Sequence, residues 1–215
     1  MIQTLNLDVI EREPIDASTK GFPHGAPPIP LREIGTQGWH LLQGSLPLPQ
    51  AVLKDSALTH NHEWMRDFTQ ATGVLLAPHG KTTMAPQIFA QQLVAGAWGI
   101  TVATVHQLAV CARFGVRRVI MANQLLGAAA VAEVLRLQEQ HPDLEFYFLV
   151  DSLAQLRSIE ADVGLHARSR RLCALLELGV RGGRTGCRNT ASSCSCCLIR
   201  TARALVSTDG SRASS

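Results

Sequence analysis

Within residues 74–86, Val-Leu-Leu-Ala-Pro-His-Gly-Lys-Thr-Thr-Met-Ala-Pro, a single lysine follows closely on a short apolar run. The run 74–77 has the length and composition of a buried strand, and Pro78 and Gly80 mark its end. A helical segment is expected over 87–95. Lys81 therefore falls just past the carboxyl end of a strand, where α/β barrels carry their reactive groups. An amine at such a position suits a Schiff base with a carbonyl cofactor such as pyridoxal phosphate. Lys81 also reads as an ordinary solvated lysine, because most lysines are exposed.

The elements that must position this residue repeat along the chain. Further apolar runs stand at 101–104, 119–122, 146–150 and 174–178, so that successive starts are 18 to 28 residues apart. Between them, 106–114, 128–140 and 152–162 are apolar at helical spacing, and Ser152 opens the last with an N-cap pattern. Strands alternating with helices at this period indicate βα units and a parallel sheet. Such units wind into either a barrel or a doubly wound sheet. Each expected strand ends on polar or reactive residues: His79 and Lys81, Thr104 and His106, Asn123, Asp151, and Arg184. Polar groups at five successive strand ends suit a barrel mouth. A doubly wound dinucleotide fold would place G-x-G-x-x-G in the first turn, which here reads Pro-His-Gly-Lys. The expected fold is α/β, a partial (βα)8 TIM-type barrel, with five or six strand units where closure needs eight.

Three segments are expected: a Pro/Gly-rich leader over 1–48, the partial barrel over 49–188, and a tail over 189–215. The leader holds a possible local helix at 31–42. Residues 51–54 suit a short strand, and Ser56 starts a helix with Ala57, Leu58, Trp64, Met65 and Phe68 on its apolar side. A net charge of +3 and the short cluster Arg168, Arg170, Arg171 argue against nucleic acid. No apolar run is long enough to span a membrane, and the amino terminus lacks a signal peptide's pattern, so a cytoplasmic location is expected. Cys111 and Cys173 sit in apolar contexts as small core residues. Past Arg188 the periodicity fades into Ser, Thr and Cys. Cys194, Cys196 and Cys197 lack partners at a metal-ligand spacing, and an out-of-frame or truncated tail is the preferred reading.

Taken together, Pro78-His79-Gly80-Lys81-Thr82-Thr83, the segments 99–105 and 120–123, and Gly182-Gly183-Arg184-Thr185-Gly186 resemble a known family. These elements are similar to the pyridoxal-phosphate enzymes of fold type III, with an alanine-racemase-like barrel, in the branch of D-threonine aldolases and D-serine dehydratases. The leader resembles bacterial members described as amino acid deaminases. The resemblance covers roughly residues 15–188. It implies Lys81 as the cofactor-bearing lysine, Arg184 near the cofactor ring, and His79 and Asn123 lining the mouth. Read from the residues alone, His79 could cap a strand end, Asn123 could form an Asx turn, Asp151 belongs to the N-cap region of the next helix, and His106 starts a helix.

The resemblance further implies a deaminase or dehydratase acting on a D-β-hydroxy amino acid such as D-serine through the Lys81 Schiff base. Retro-aldol cleavage, as in a D-threonine aldolase, is the alternative, and a non-catalytic pyridoxal-phosphate carrier is a third reading. Partial burial of Lys81 beside Arg184 is expected to favour the uncharged, attacking amine. The resemblance also implies homodimers, a carboxyl-terminal β domain and a divalent metal in full-length relatives. Those later elements are not found in these 215 residues, so the chain is expected to be inactive as it stands. The expected partner is a small amino acid, with no metal ligands assigned.

Overall fold

The computed structural model describes residues 3–164, 172–180 and 182–188. The cluster Arg168, Arg170, Arg171, the cysteines Cys194, Cys196 and Cys197, and the whole tail 189–215 lie outside the described residues. The chain divides into two compact units, Leu5–Thr72 and the described part of Met1–Thr4 with Gly73–Ser215.

The first of these contains α1 (Asp8–Glu11), then β1 (Pro14–Ile15) paired antiparallel with β2 (Ile29–Pro30). Two 3-10 turns, Leu31–Thr36 and Leu41–Gln43, replace the single helix expected over 31–42. Gly35 and Gly38 fall within that stretch, and each costs a continuous helix about 1 kcal/mol relative to alanine. Residues 51–54 form no strand; they are exposed, and no described strand pairs with them. Helix α2 (Asp55–Thr72) follows, starting one residue before Ser56. Trp64 and Phe68, one helical turn apart, stack with centroids 5.6 Å apart.

The larger unit contains α3 (Pro86–Val94), β3 (Ile100–Val102), α4 (Val105–Arg113), β4 (Arg118–Gln124), α5 (Ala128–Gln140), β5 (Glu145–Val150), α6 (Leu153–Gly164) and β6 (Cys173–Leu176). The strands pair in parallel in the order β3-β4-β5-β6. Right-handed connections between strands added in sequence put the helices on one face, with every strand's carboxyl end at the same edge. A doubly wound sheet would reverse its strand order at a switch point, and the described sheet does not.

Strand pleat and helix period explain the core. Ile100 and Val102, Val119 and Met121, and Phe146, Phe148 and Val150 alternate along their strands and are buried. Phe89, Leu108, Val131, Leu156 and Ile159 supply the buried stripes of the four helices. Each such side chain contributes roughly 1.5–3 kcal/mol on burial, so the seam between sheet and helices dominates stability. Cys111 belongs to it, and burial pushes its thiol up to about 12. Cys173, expected in the core, is half-buried at the start of β6.

The apolar run 74–77 is not a strand. Residues 76–80 run beside β3 as an extended edge segment: Trp98 N–H donates to Leu76 O at 2.7 Å, Thr101 N–H to Pro78 O at 2.8 Å, and Gly80 N–H to Thr101 O at 2.8 Å. The ladder shrinks to one bridge, His79 with Thr101, because Pro78 has no N–H to extend it. Val74 and Leu75 are exposed. Among the described residues no helix is long and apolar enough to cross a membrane.

Candidate functional site

Lys81 sits one residue past the edge segment, on a loop fixed from three sides. Gly80 donates to Thr101 O, and Met84 N–H closes the loop onto Gly80 O at 2.9 Å. The third tie is Gln107, whose Nε2 donates to the Lys81 carbonyl at 3.2 Å. Gly80 has no room for a side chain. A Cβ there would lie 2.6 Å from Phe89 Cε1 and 2.8 Å from Ile100 Cγ2, both on buried residues. Met84 takes φ +43°, in the left-handed region that few side chains adopt. The backbone under Lys81 is thus held while its side chain is exposed. The expected partial burial beside Arg184 is not provided by the described residues, since Arg184 is exposed as well.

Gln107 belongs to a capping arrangement. Thr104 Oγ1 accepts from Gln107 N–H at 3.3 Å, and the Gln107 side chain reaches back to accept from Ala103 N–H at 2.8 Å. Gln155 repeats this two βα units later, with Ser152 Oγ accepting from Gln155 N–H and Gln155 Oε1 accepting from Asp151 N–H, each at 3.3 Å. Ser152 is therefore the cap, and the Asp151 carboxylate is released for other contacts.

A bulge distributes the next two side chains. Pairing of β4 with β5 jumps from Met121–Phe148 to Gln124–Leu149, leaving Ala122 and Asn123 as extra residues. Asn123 Nδ2 donates to Ala103 O on the β3 side at 2.9 Å, so its role is cross-strand and not a local Asx turn. Gln124 points the other way, its Nε2 donating to Asp151 Oδ2 at 3.1 Å and Glu177 Oε2 at 3.2 Å.

Beyond β6 the chain folds back on itself. Leu178 bridges Cys187, Gly179 N–H donates to Cys187 O at 3.1 Å, and Cys187 N–H donates to Glu177 O at 2.8 Å. Gly186, at φ +95°, lies so close to the Gly179 backbone that a Cβ on either would overlap the other strand of the loop. Thr185 Oγ1 donates to Glu177 Oε1 at 2.7 Å and Gly186 N–H to Asp151 Oδ2 at 3.1 Å. Arg184 is the residue this fold-back presents.

One belt of hydrogen bonds therefore crosses the carboxyl edge of the sheet. It links Lys81 through Gln107 and Ala103 to Asn123, and the adjacent Gln124 through Asp151 and Glu177 to the loop of Arg184. His79 joins only by its backbone bridge, and its imidazole is exposed. His106 is exposed at the start of α4. Gln107, Gln124 and Glu177 escape a reading by residue type. The pattern Thr-x-x-Gln at 104–107 gives a local signal for Gln107, but nothing near Gln124 or Glu177 announces the other. Among the described residues no three His, Cys, Asp or Glu side chains lie together as a metal site.

No family model matches the chain. It is 31% identical over 117 residues to D-threo-3-hydroxyaspartate dehydratase of Delftia sp. (strain HT23), a match covering 54% of this chain and 30% of that protein. The fold is that of solved relatives. A histidine-to-alanine mutant of a D-threo-3-hydroxyaspartate dehydratase superposes with TM-score 0.66 at 25% identity, covering 75% of this chain and 40% of that one. A cysteine-to-alanine mutant solved in the metal-free form gives the same score and identity. D-Threonine aldolase from Filomicrobium marinum superposes with TM-score 0.61 at 24% identity, covering 67% of this chain and 38% of that one. The strand-end belt thus lies on an α/β fold shared with a dehydratase and an aldolase. More particularly, the chain is a relative of D-threo-3-hydroxyaspartate dehydratase, and it matches 30% of that protein's length by sequence and about 40% by superposition.

Proposed function

We propose that this chain carries the lysine-bearing part of a pyridoxal-phosphate enzyme of fold type III, built on an alanine-racemase-like (βα)8 barrel. Its reaction is the deamination, by dehydration, of a D-β-hydroxy amino acid such as D-serine. The observation that carries the reading is Lys81: an exposed amine on a backbone tied to the strand-end belt, in a chain related to a dehydratase of a β-hydroxy amino acid.

The donor set fits an anionic aldehyde. Lys81 supplies an amine for the carbonyl, Arg184 a guanidinium for an anionic oxygen or the ring, and Asn123 a neutral amide at the same edge. When bound, pyridoxal phosphate supplies the electron sink for bond breaking at Cα. Lys81 is the residue that would hold the cofactor, through its ε-amine. Loss of the α-proton and of the β-hydroxyl as water would leave an enamine acid, and water would hydrolyse its imine tautomer to a keto acid and ammonia. The likeness to an aldolase favours a second outcome on the same site, cleavage to glycine and an aldehyde.

Purified protein incubated with pyridoxal phosphate and fixed with borohydride should carry the cofactor's mass on the Lys81 peptide, and Lys81→Ala should lose it. Absence of that adduct in the unaltered chain refutes the reading. Release of keto acid from D-serine against glycine from D-threonine separates the two outcomes.

A further inference from the structure

We propose that Gln124, acting through Asp151 and Glu177, is a positioning residue for the Arg184 loop. This rests on the reading above, in which Arg184 meets the cofactor.

The two carboxylates come from successive strand ends, Asp151 after β5 and Glu177 after β6, and both are half-buried. No lysine or arginine among the described residues pairs with either. Two half-buried carboxyl groups brought to one place need a donor for their inward-facing oxygens. The Gln124 amide is that donor, spending one N–H on each. The bulge in β4 makes this possible by turning Gln124 toward β5 while Asn123 serves the β3 side.

The same carboxylates also hold the loop. Asp151 Oδ2 also accepts from Gly186 N–H, and Glu177 Oε1 accepts from the Thr185 hydroxyl. These donors are the two residues that follow Arg184. The remaining fastenings sit on either side: Cys187 Sγ donates to Asp151 O at 3.0 Å, and Gly183 N–H donates to Val180 O at 2.9 Å. Arg188 donates to Gly183 O. Among the described residues nothing bonds the exposed Arg184 guanidinium, and its neighbours carry the anchoring. With Asp151 Oδ2 shared by Gln124 and Gly186, and the two Glu177 oxygens taken by Gln124 and Thr185, Asp151 and Glu177 act as struts.

Three variants test this. Gln124→Glu keeps size and turns the bridging donor into a third carboxylate. Thr185→Val keeps shape and removes only the hydroxyl, and Thr185→Ser restores it. The measurements are amide hydrogen exchange of the 178–188 peptide and the pyridoxal-phosphate concentration that half-saturates the Lys81 adduct. Q124E and T185V should raise exchange at Gly186 and Cys187 and weaken the adduct about tenfold, with T185S close to the unaltered chain. Faster exchange with unchanged cofactor affinity would show loop support without positioning and overturn the proposal. Unchanged exchange in both variants would overturn it too. Failure of the unaltered chain to form the adduct refutes the functional reading itself, a distinct result. T185V guards against Q124E failing to fold.

Discussion

Replacing Gly80 by alanine tests whether the Lys81 loop is held as described. The new methyl would lie 2.6 Å and 2.7 Å from two ring carbons of Phe89 and 2.8 Å from Ile100 Cγ2. Carbon atoms settle at about 3.5–4.0 Å, so something must move by roughly 1 Å. Phe89 and Ile100 are fully buried and have little room to yield. The backbone could move instead, but Gly80 N–H is bonded to Thr101 O and Gly80 O to Met84 N–H. Overpacking of this kind costs about 1–3 kcal/mol, and loss of either hydrogen bond would keep the cost near the upper end. Phe89→Leu opens space at the same point and costs about 1 kcal/mol by itself. The double variant should then be more stable than the sum of the two by about 1 kcal/mol or more, which denaturant unfolding at constant slope measures. Additivity within about 0.5 kcal/mol, or a Gly80→Ala variant as stable as the parent, would refute the packing argument.

Thr101→Val removes the Thr101 Oγ1 donation to Ala77 O at 2.7 Å. It should cost about 1 kcal/mol and raise hydrogen exchange in the 76–80 segment, with the rest of the sheet unchanged. Met84→Gly relieves the φ of +43°, and should leave stability equal or raise it by up to about 1 kcal/mol in thermal unfolding. Burial pushes the Cys111 thiol up from its ordinary 9.0 to about 12, so the unfolded chain loses this proton first. Its contribution is fully present below about pH 9 and lost as pH rises toward 12. Denaturation at several alkaline pH values should show Cys111→Ala with a shallower loss of stability across that window than the parent.

Some of this architecture was legible because its signals are local. Short apolar runs marked β4 and β5, and a helical apolar period marked α5 and α6, to within a residue or two, since each element buries its own apolar residues. The run 74–77 misled because composition does not record a missing partner N–H, and Pro78 removes the one needed. Residues 31–42 misled because two glycines outweighed a weak pattern.

By itself, the sequence determined that βα units repeat, that polar groups follow the strands, and that Lys81 follows closely on an apolar run. Tertiary structure alone decided which of those groups act together. Gln124 and Glu177 are 53 residues apart and meet only because parallel pairing aligns β4, β5 and β6 at one edge. A bulge of two residues then sends Asn123 and Gln124 in opposite directions. Hydrogen bonds reach about 3 Å, so side-chain partnership depends on register and bulge geometry, which no spacing along the chain encodes.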